Sequence, residues 1–318
     1  MQSVIEGGIF NYYPEPEQPD PFSPYGRFSE LAARPDDAID LGEAALIIAS
    51  QEYPSLNEGY YLNRLDAMAA DVGLLLAGET DPARIIGVIN SYLYGTLGFK
   101  GNETDYANPR NSFLNDVIEL RTGIPITLSL LYLEITKRLG LPLEGIGLPG
   151  HFIIRYRETA SQTLGRFMGR ETSDENNSNE EGNQILLDPF NGGAILSPED
   201  CAEMMRQLYG RPLPMLSLYL RAINPRQFLS RMLNNLKAAY IAEKDFVRAL
   251  KIEDFILILN PQEWSEVRDR GVLRYQNGQS WRAIYDLQTY LRQQPDASDA
   301  EVIRQQIRTI SKEIASRN

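Results

Sequence analysis

The chain contains 318 residues, of which 43% are apolar and 23% are charged, a composition typical of globular proteins and long enough for about two domains. Its formal net charge of −12 argues against general nucleic-acid binding, which requires a basic surface. One cysteine and one histidine exclude an internal disulfide, a multi-cysteine zinc site and a His-His metal motif.

Neither a secretory signal nor a membrane-spanning segment is apparent in the sequence. The first residues lack a basic start followed by an apolar stretch. The longest apolar runs, at 44–49 and 72–77, are far shorter than the ~20 residues that a membrane helix needs. We therefore expect a cytoplasmic protein that does not contact membranes.

The N-terminal half is predicted to be an arm followed by helices. Residues 1–26 are rich in proline and acidic residues, which favours a flexible arm. Helices are then indicated by apolar residues at helical spacing, by Asp81-Pro82 as a helix start and by glycine or proline at helix ends. The predicted helices cover residues 41–50, 60–77, 82–94, 112–121 and 125–139.

Two predicted strands interrupt this helical pattern. Residues 151–157 (HFIIRYR) and 184–190 (QILLDPF) are rich in aromatic and β-branched side chains. Residues 158–183 between them are predicted to be a mobile acidic loop, and a further helix starts after Ser197. Residues 27–212 are therefore predicted to form one domain of the α+β class that is mostly helical.

Residues 213–318 are predicted to be an all-helical second domain. They contain 16 basic and 12 acidic residues, whereas residues 1–220 contain 15 and 31. Three pairs of similar residues are separated by 34 positions: Ala249 and Ala283, Leu250 and Ile284, and Pro261 and Pro295. This period, with small residues where two helices cross and proline after the second helix, is typical of tetratricopeptide hairpins.

His151 and Asp188 are the strongest candidates for chemistry. They lie at the start of one predicted strand and the end of the next, so antiparallel pairing places both at one sheet edge. A carboxylate that accepts from one imidazole nitrogen raises the basicity of the other. The alternative is a structural hydrogen bond that closes the hairpin. Candidate supporting residues are Asn191, in a tight turn, and Arg121, through an ion pair with Asp188 or Asp116.

Three glycines before His151 match the pattern G-x-G-x-x-G at positions 145–150. A phosphate-binding turn follows a strand and opens a helix, whereas this run precedes a strand. We therefore interpret it as a tight turn that presents His151 and expect no nucleotide cofactor.

The helix that precedes His151 begins with residues 125–127 (PIT) and supplies no thiol. A nucleophilic cysteine gains reactivity at a helix start, where exposed N–H groups stabilise the thiolate. The hydroxyls of Thr127 and Ser129 are alternative nucleophiles, beside an ordinary role at the helix start. Cys201 has acidic neighbours and is interpreted as a buried structural cysteine.

Residues 111–156 and 186–201 (LLDPFNGGAILSPEDC) resemble the SirB1 family of transglutaminase-like proteins, and the repeat tail is similar to the same architecture. The resemblance implies a cysteine-protease-like fold, in which a helical lobe packs against a small antiparallel sheet. It also implies that His151 and Asp188 occupy the positions of the transglutaminase histidine and aspartate. The cysteine position then falls at residues 125–126 (Pro-Ile), where the cysteine is missing.

The sequence thus predicts a pseudoenzyme that acts as a protein-binding scaffold or regulatory factor through its repeats, with no cofactor and no metal. By the phase of the repeat, Arg231, Asn234 and Arg268 line the groove of the first helices and suit an acidic peptide or a C-terminal carboxylate. The alternative is a hydrolase or acyl-transfer enzyme that uses His151 and Asp188 with a nucleophile other than cysteine.

Overall fold

The computed structural model describes residues 19–157, 184–210 and 216–317. The predicted loop at 158–183, most of the predicted arm and the predicted domain boundary at residue 212 lie outside these ranges. None of the helices within the ranges has the length and apolar character that crossing a bilayer requires.

Helices dominate the first half of the chain. They are α1 (Pro24–Ala32), α2 (Leu41–Glu52), α3 (Glu58–Leu76), α4 (Pro82–Asn90), α5 (Leu114–Leu120) and α6 (Pro125–Arg138). The first four begin where a polar side chain accepts a hydrogen bond from the backbone N–H three residues later. These side chains are Ser23, Asp40, Asn57 and Asp81. Helix α1 begins inside the predicted arm, so the arm ends earlier than its proline content suggests.

A small antiparallel sheet packs against the helices. Its strands are β3 (Leu143–Ile146), β4 (Ile153–Arg157), β5 (Gln184–Asp188) and β6 (Ala194–Leu196), in the order β3-β4-β5-β6. A separate parallel pair is formed by β1 (Lys100–Gly101) and β2 (Thr122–Gly123). The two predicted strands are confirmed as β4 and β5, and Ile154 pairs with Leu187 in their register.

The described residues after β6 are mostly helical. The helices are α7 (Pro198–Tyr209), α8 (Leu216–Tyr219), α9 (Pro225–Ala242), α10 (Phe246–Leu259), α11 (Trp264–Gln276), α12 (Ser280–Gln293) and α13 (Ala300–Arg317). Helices α10 and α12 begin 34 residues apart, at Phe246 and Ser280, which agrees with the predicted repeat. Gly271 lets α11 approach α12 closely, because a Cβ there would lie 2.9 Å from Leu287 Cγ. The predicted mostly helical α+β architecture is confirmed.

One hydrophobic core joins the first half to the first repeat helices. Phe28 of α1 meets Phe255 of α10 edge to face, with ring centroids 5.0 Å apart. Phe152, next to β4, meets Phe228 of α9 in the same way, also at 5.0 Å. The later repeat helices bury a separate cluster that includes Leu287. Helices α9 and α10 are therefore part of the structure that supports the sheet.

Candidate functional site

The structure brings His151 and Asp188 together at one edge of the sheet. His151 lies two residues before β4, and Asp188 is the last residue of β5. Because these strands are antiparallel, the two residues meet, and His151 Nε2 lies 2.9 Å from Asp188 Oδ2. The Asp188 side chain is buried, while 13% of the His151 side chain remains exposed.

Asp188 accepts hydrogen bonds from the turn that follows it. Its Oδ1 accepts from the backbone N–H groups of Phe190 and Asn191 at 3.0 and 3.3 Å, and its Oδ2 accepts from Asn191 Nδ2 at 2.7 Å. Gly192 and Gly193, both with left-handed φ angles, then reverse the chain into β6. The structure therefore places Asn191 as a direct support of Asp188.

These contacts determine the charge of Asp188 and which nitrogen of His151 donates to it. Burial raises the pKa of the Asp188 carboxyl, but hydrogen bonds from His151 and Asn191 outweigh burial and lower this pKa below its usual value. Asp188 is consequently ionised at neutral pH, so His151 Nε2 carries the proton that it donates to the carboxylate. In the neutral imidazole, Nδ1 then holds the free lone pair.

The glycines before His151 are needed for close packing. Gly150 has φ of +72°, and a Cβ at this position would lie 2.2 Å from Leu208 Cδ2 of α7. A Cβ at Gly147 would lie 2.9 Å from Arg231 Nη1 of α9. The run forms the turn that presents His151, as its place before a strand predicts.

A pocket of about 480 Å³ opens beside His151. Helix α6 contributes Pro125 and Ile126 from its first turn, and helix α9 contributes Arg231 and Asn235. The pocket is therefore lined by Pro125 and Ile126 at the position of the transglutaminase cysteine, by His151, and by the first repeat helix.

The pocket contains neither of the hydroxyls considered as nucleophiles. Thr127 is fully buried; its Oγ1 accepts from the Ile124 N–H at 3.1 Å and donates to the Asn111 carbonyl at 2.6 Å. Ser129 is also fully buried. Thr127 therefore fastens the start of α6 to the preceding segment, which is the helix-start role considered for it, and it does not line the pocket.

Cys201 lies in a small apolar cluster on α7. Its side chain is fully buried with Ile146, Leu148, Ile153 and Met205. Burial raises the pKa of this thiol to about 11, so the sulfur stays protonated at neutral pH. Within the described parts of the chain, no group of three or more His, Cys, Asp or Glu side chains is placed to hold a metal ion.

Arg121 does not support the site in the way the sequence predicts. Its guanidinium donates to the Leu97 carbonyl at 2.6 Å, and the residue adopts a left-handed φ of +57° at the end of α5. Asp116, one of its two predicted partners, instead pairs with Arg110 at 3.0 Å and accepts from Tyr53 Oη at 2.5 Å. The predicted ion pair of Arg121 with Asp188 or Asp116 is wrong.

Arg231 belongs to the His151 pocket. Its Nη2 donates to the carbonyls of Leu148 and His151, and its guanidinium lies 5.4 Å from the centroid of the Phe152 ring. Asn234, also on α9, is half-buried. The position of Arg231 at this pocket was not predicted from the sequence. The glycines at 145–150 are the signal for it, because they indicate that a bulky group packs against this turn.

Arg268 is neutralised by acidic neighbours within the repeats. It forms ion pairs with Asp269 at 2.7 Å and with Asp299 at 2.6 Å, and it lies over the ring of Tyr290. Arg231 thus contacts the sheet domain, whereas Arg268 already has two carboxylate partners, and peptide binding by Arg231, Asn234 and Arg268 stays a prediction.

Replacing Asp188 with asparagine tests the buried pair. Asp188→Asn places an amide where two donors converge, and we expect a loss of about 2–3 kcal/mol in the free energy of unfolding at pH 7. Because the native pKa lies below the unfolded value of about 3.9, the stabilisation is present above that pH and disappears as pH falls through the native pKa. Urea denaturation at pH 7 and at acidic pH measures both effects.

The exposed Asp296 supplies the matched control, because Asp296→Asn removes one carboxylate without a buried partner. Equal stability of Asp188→Asn and the parent chain at pH 7, or a difference that persists unchanged at acidic pH, would contradict the assignment of a buried, ionised Asp188.

Comparisons with known proteins agree with this architecture. A family model described as the transglutaminase-like superfamily matches residues 60–234, and a tetratricopeptide repeat model matches residues 236–308. A UPF0162 protein of Xylella fastidiosa is 31% identical over 90% of this chain and 95% of its own length. Protein SirB1 of Salmonella typhimurium is 26% identical over 84% of this chain and 91% of its own length.

A shorter similarity connects the chain to a eukaryotic protein. F-box only protein 21 of Homo sapiens is 34% identical over 160 residues, which are 48% of this chain and 21% of that protein. No solved structure shows a significant match. The match over residues 60–234 and the similarity to UPF0162 proteins along nearly the whole chain identify this protein as a member of the transglutaminase-like superfamily, in the group that includes SirB1 and the UPF0162 proteins.

Proposed function

We propose that this chain is a non-catalytic transglutaminase-like protein that acts by binding a protein partner through its tetratricopeptide repeats. The observation that carries the proposal is the chemistry of the first turn of α6. The residues that line the pocket there are Pro125 and Ile126, and neither has a group that can attack a carbonyl carbon.

The other candidate nucleophiles in the chain do not replace the cysteine that is missing at residues 125–126. Thr127 has both of its hydrogen-bonding functions engaged by backbone groups, and Ser129 is fully buried and does not line the pocket. Cys201 is a buried, protonated thiol in an apolar cluster. His151 could act as the base of a covalent mechanism, but such a mechanism also needs a nucleophile. In this proposal the His151–Asp188 hydrogen bond serves to hold the pocket edge of the sheet in place.

The repeats present apolar side chains at equivalent positions. Val247 and Trp281 are the second residues of α10 and α12, they lie 34 positions apart, and they are 60% and 46% exposed. Tryptophan is enriched among residues that dominate binding energy in protein interfaces. Two such positions in successive repeats support a binding surface made by α10 and α12.

Substitution of these side chains in the full-length chain tests the proposal. We expect Val247→Ser combined with Trp281→Ser to weaken binding of the physiological partner by ~30-fold, because loss of an interface hot spot costs about 2 kcal/mol. The partner is identified by affinity purification from cells that naturally produce the chain, and its Kd is measured with purified proteins. Truncation is unsuitable here, because α9 and α10 complete the core of the first half.

Leu74→Ser is the matched control, since Leu74 is an 80% exposed apolar residue on α3, outside the repeats. Both variants should keep the melting temperature of the parent chain. Equal affinity of the parent and the double variant for the partner would contradict a binding surface on α10 and α12.

A second candidate function is hydrolysis with water as the nucleophile. It is favoured by the observation that His151 lines the pocket while its Nε2, and not its Nδ1, is bonded to Asp188. An oriented imidazole that acts as general base accelerates a reaction by about 10²–10⁴-fold. This candidate requires the lone pair on Nδ1 to take a proton from a water molecule in the pocket.

Rates of amide and ester hydrolysis separate the two functions. For a panel of fluorogenic amides and esters, the non-catalytic proposal expects the parent chain and His151→Gln to give the same background rate. Glutamine is the informative replacement, because its amide can still donate to Asp188. A rate in the parent chain that falls by about 10²-fold in His151→Gln would support the hydrolase instead.

A further inference from the structure

We propose that the pocket beside His151 binds a carboxylate group and that Arg231 is the residue that recognises it. This inference goes beyond the repeat surface of Val247 and Trp281. It concerns different residues, and it holds whether or not His151 has a catalytic role.

Arg231 carries a charge that lacks an acidic partner. No described carboxylate lies within ion-pair distance of it, whereas Arg226 on the same helix pairs with Asp36 at 2.9 Å. Both of its hydrogen bonds, to the carbonyls of Leu148 and His151, use Nη2. Among the described residues, nothing accepts a hydrogen bond from Nε or Nη1. Burial of the guanidinium lowers the pKa of Arg231, which is the mark of a cation removed from water without a compensating anion.

The surroundings hold this guanidinium in place. Its Nη1 packs against Gly147, where a Cβ would lie 2.9 Å away, and its plane lies near the Phe152 ring. Bonds from Nη2 to two carbonyls fix the orientation of the planar group. A fixed guanidinium loses little further entropy when it binds a ligand, and the N–H groups of Nε and Nη1, which have no described acceptor, can each donate a charge-assisted hydrogen bond to a carboxylate oxygen.

The rest of the pocket suits a carboxylate attached to an apolar group. Asn235, one helical turn after Arg231, and His151 add polar groups, while Pro125 and Ile126 supply an apolar wall. The volume of about 480 Å³ is within the range of small-ligand sites and can hold a terminal amino acid with part of its neighbour.

The charge of the pocket favours a monoanion over a phosphate group. Arg231 is the one lysine or arginine among the described residues that line it, and the ionised Asp188 lies behind His151. A single guanidinium balances one negative charge. The carboxylate can come from the C-terminus of a polypeptide or from a small free acid, and these sources share the same recognition chemistry.

Calorimetric titration of the full chain with matched probes tests the inference. The probes are N-acetyl-leucine, a pentapeptide that ends in leucine, and the C-terminal carboxamide of each. We expect each acid to bind at least ~10-fold more tightly than its amide, equivalent to about 1.4 kcal/mol. Tighter binding of the peptide acid identifies a polypeptide C-terminus as the source, and equal or tighter binding of N-acetyl-leucine identifies a small acid.

Two variants keep the test independent of folding. Arg231→Gln should weaken binding of the acids at least ~10-fold and bring them close to the amides. Because Arg231 also holds two backbone carbonyls, Asn235→Asp is the second variant; this residue is exposed, and the added negative charge should weaken the acids while leaving the amides unchanged. Arg292→Gln, at an exposed arginine of α12, is the matched control and should bind like the parent chain.

The inference is overturned if acids and amides bind equally, if no probe binds, or if Asn235→Asp leaves the affinity for the acids unchanged. The Val247→Ser, Trp281→Ser variant should bind the probes like the parent chain. A failure of the repeat surface to bind a partner and a failure of the pocket to bind a carboxylate are therefore separate results.

Discussion

The hydrogen bond between His151 and Asp188 is the constraint on which the candidate site depends. A buried carboxylate is tolerated only when its oxygens are satisfied, and Asp188 meets this requirement with donors from His151, Asn191 and the Phe190 backbone. These donors require the antiparallel pairing of β4 and β5 and the tight turn into β6. The same contacts fix the tautomer of His151, so one local network determines both the sheet edge and the chemistry that faces the pocket.

The repeats complete this site and are not merely attached to it. Helix α9 places Arg231 against the carbonyls of Leu148 and His151, and Phe228 of the same helix packs on Phe152. The pocket wall consequently comes from the sheet domain and from α9, the helix in which the transglutaminase-like match ends and the tetratricopeptide match begins. A ligand in the pocket would touch the sheet domain and the first repeat helix together, which gives the two parts a physical reason to occur in one chain.

Local sequence patterns predicted the features that depend on neighbouring residues. Residue patterns predicted the strands at 151–157 and 184–190 and the 34-residue repeat. The positions of His151 and Asp188 at strand ends predicted that the two residues approach each other. Strands β3 and β6 were not predicted because they are short. In β3, Gly145 also interrupts the pattern of strand-forming residues. Such elements are held by their neighbours in the sheet more than by their own propensity.

The surroundings of the arginines could not be predicted for a different reason. The partners of Arg121 and Arg231, and the Asp299 partner of Arg268, lie on elements that the sequence alone does not bring together. Helical phase indicates which side of a helix a residue occupies, but not which carboxylates or carbonyls the opposing element presents. Thr127 shows the same limit, since its role depends on the distant carbonyl of Asn111.

Central to the proposed function is the inference that this pocket keeps the imidazole half of a nucleophilic site without the nucleophile. Placing a thiol at this position in Ile126→Cys and measuring its alkylation rate by iodoacetamide at neutral pH tests this most directly, because residue 126 lines the pocket, whereas Cys201 lies outside it as a protonated thiol in an apolar cluster. The account predicts that the new thiol reacts at least ~10-fold faster than in Ile126→Cys with His151→Gln, since the imidazole would stabilise the thiolate. Equal rates in the two variants would contradict it.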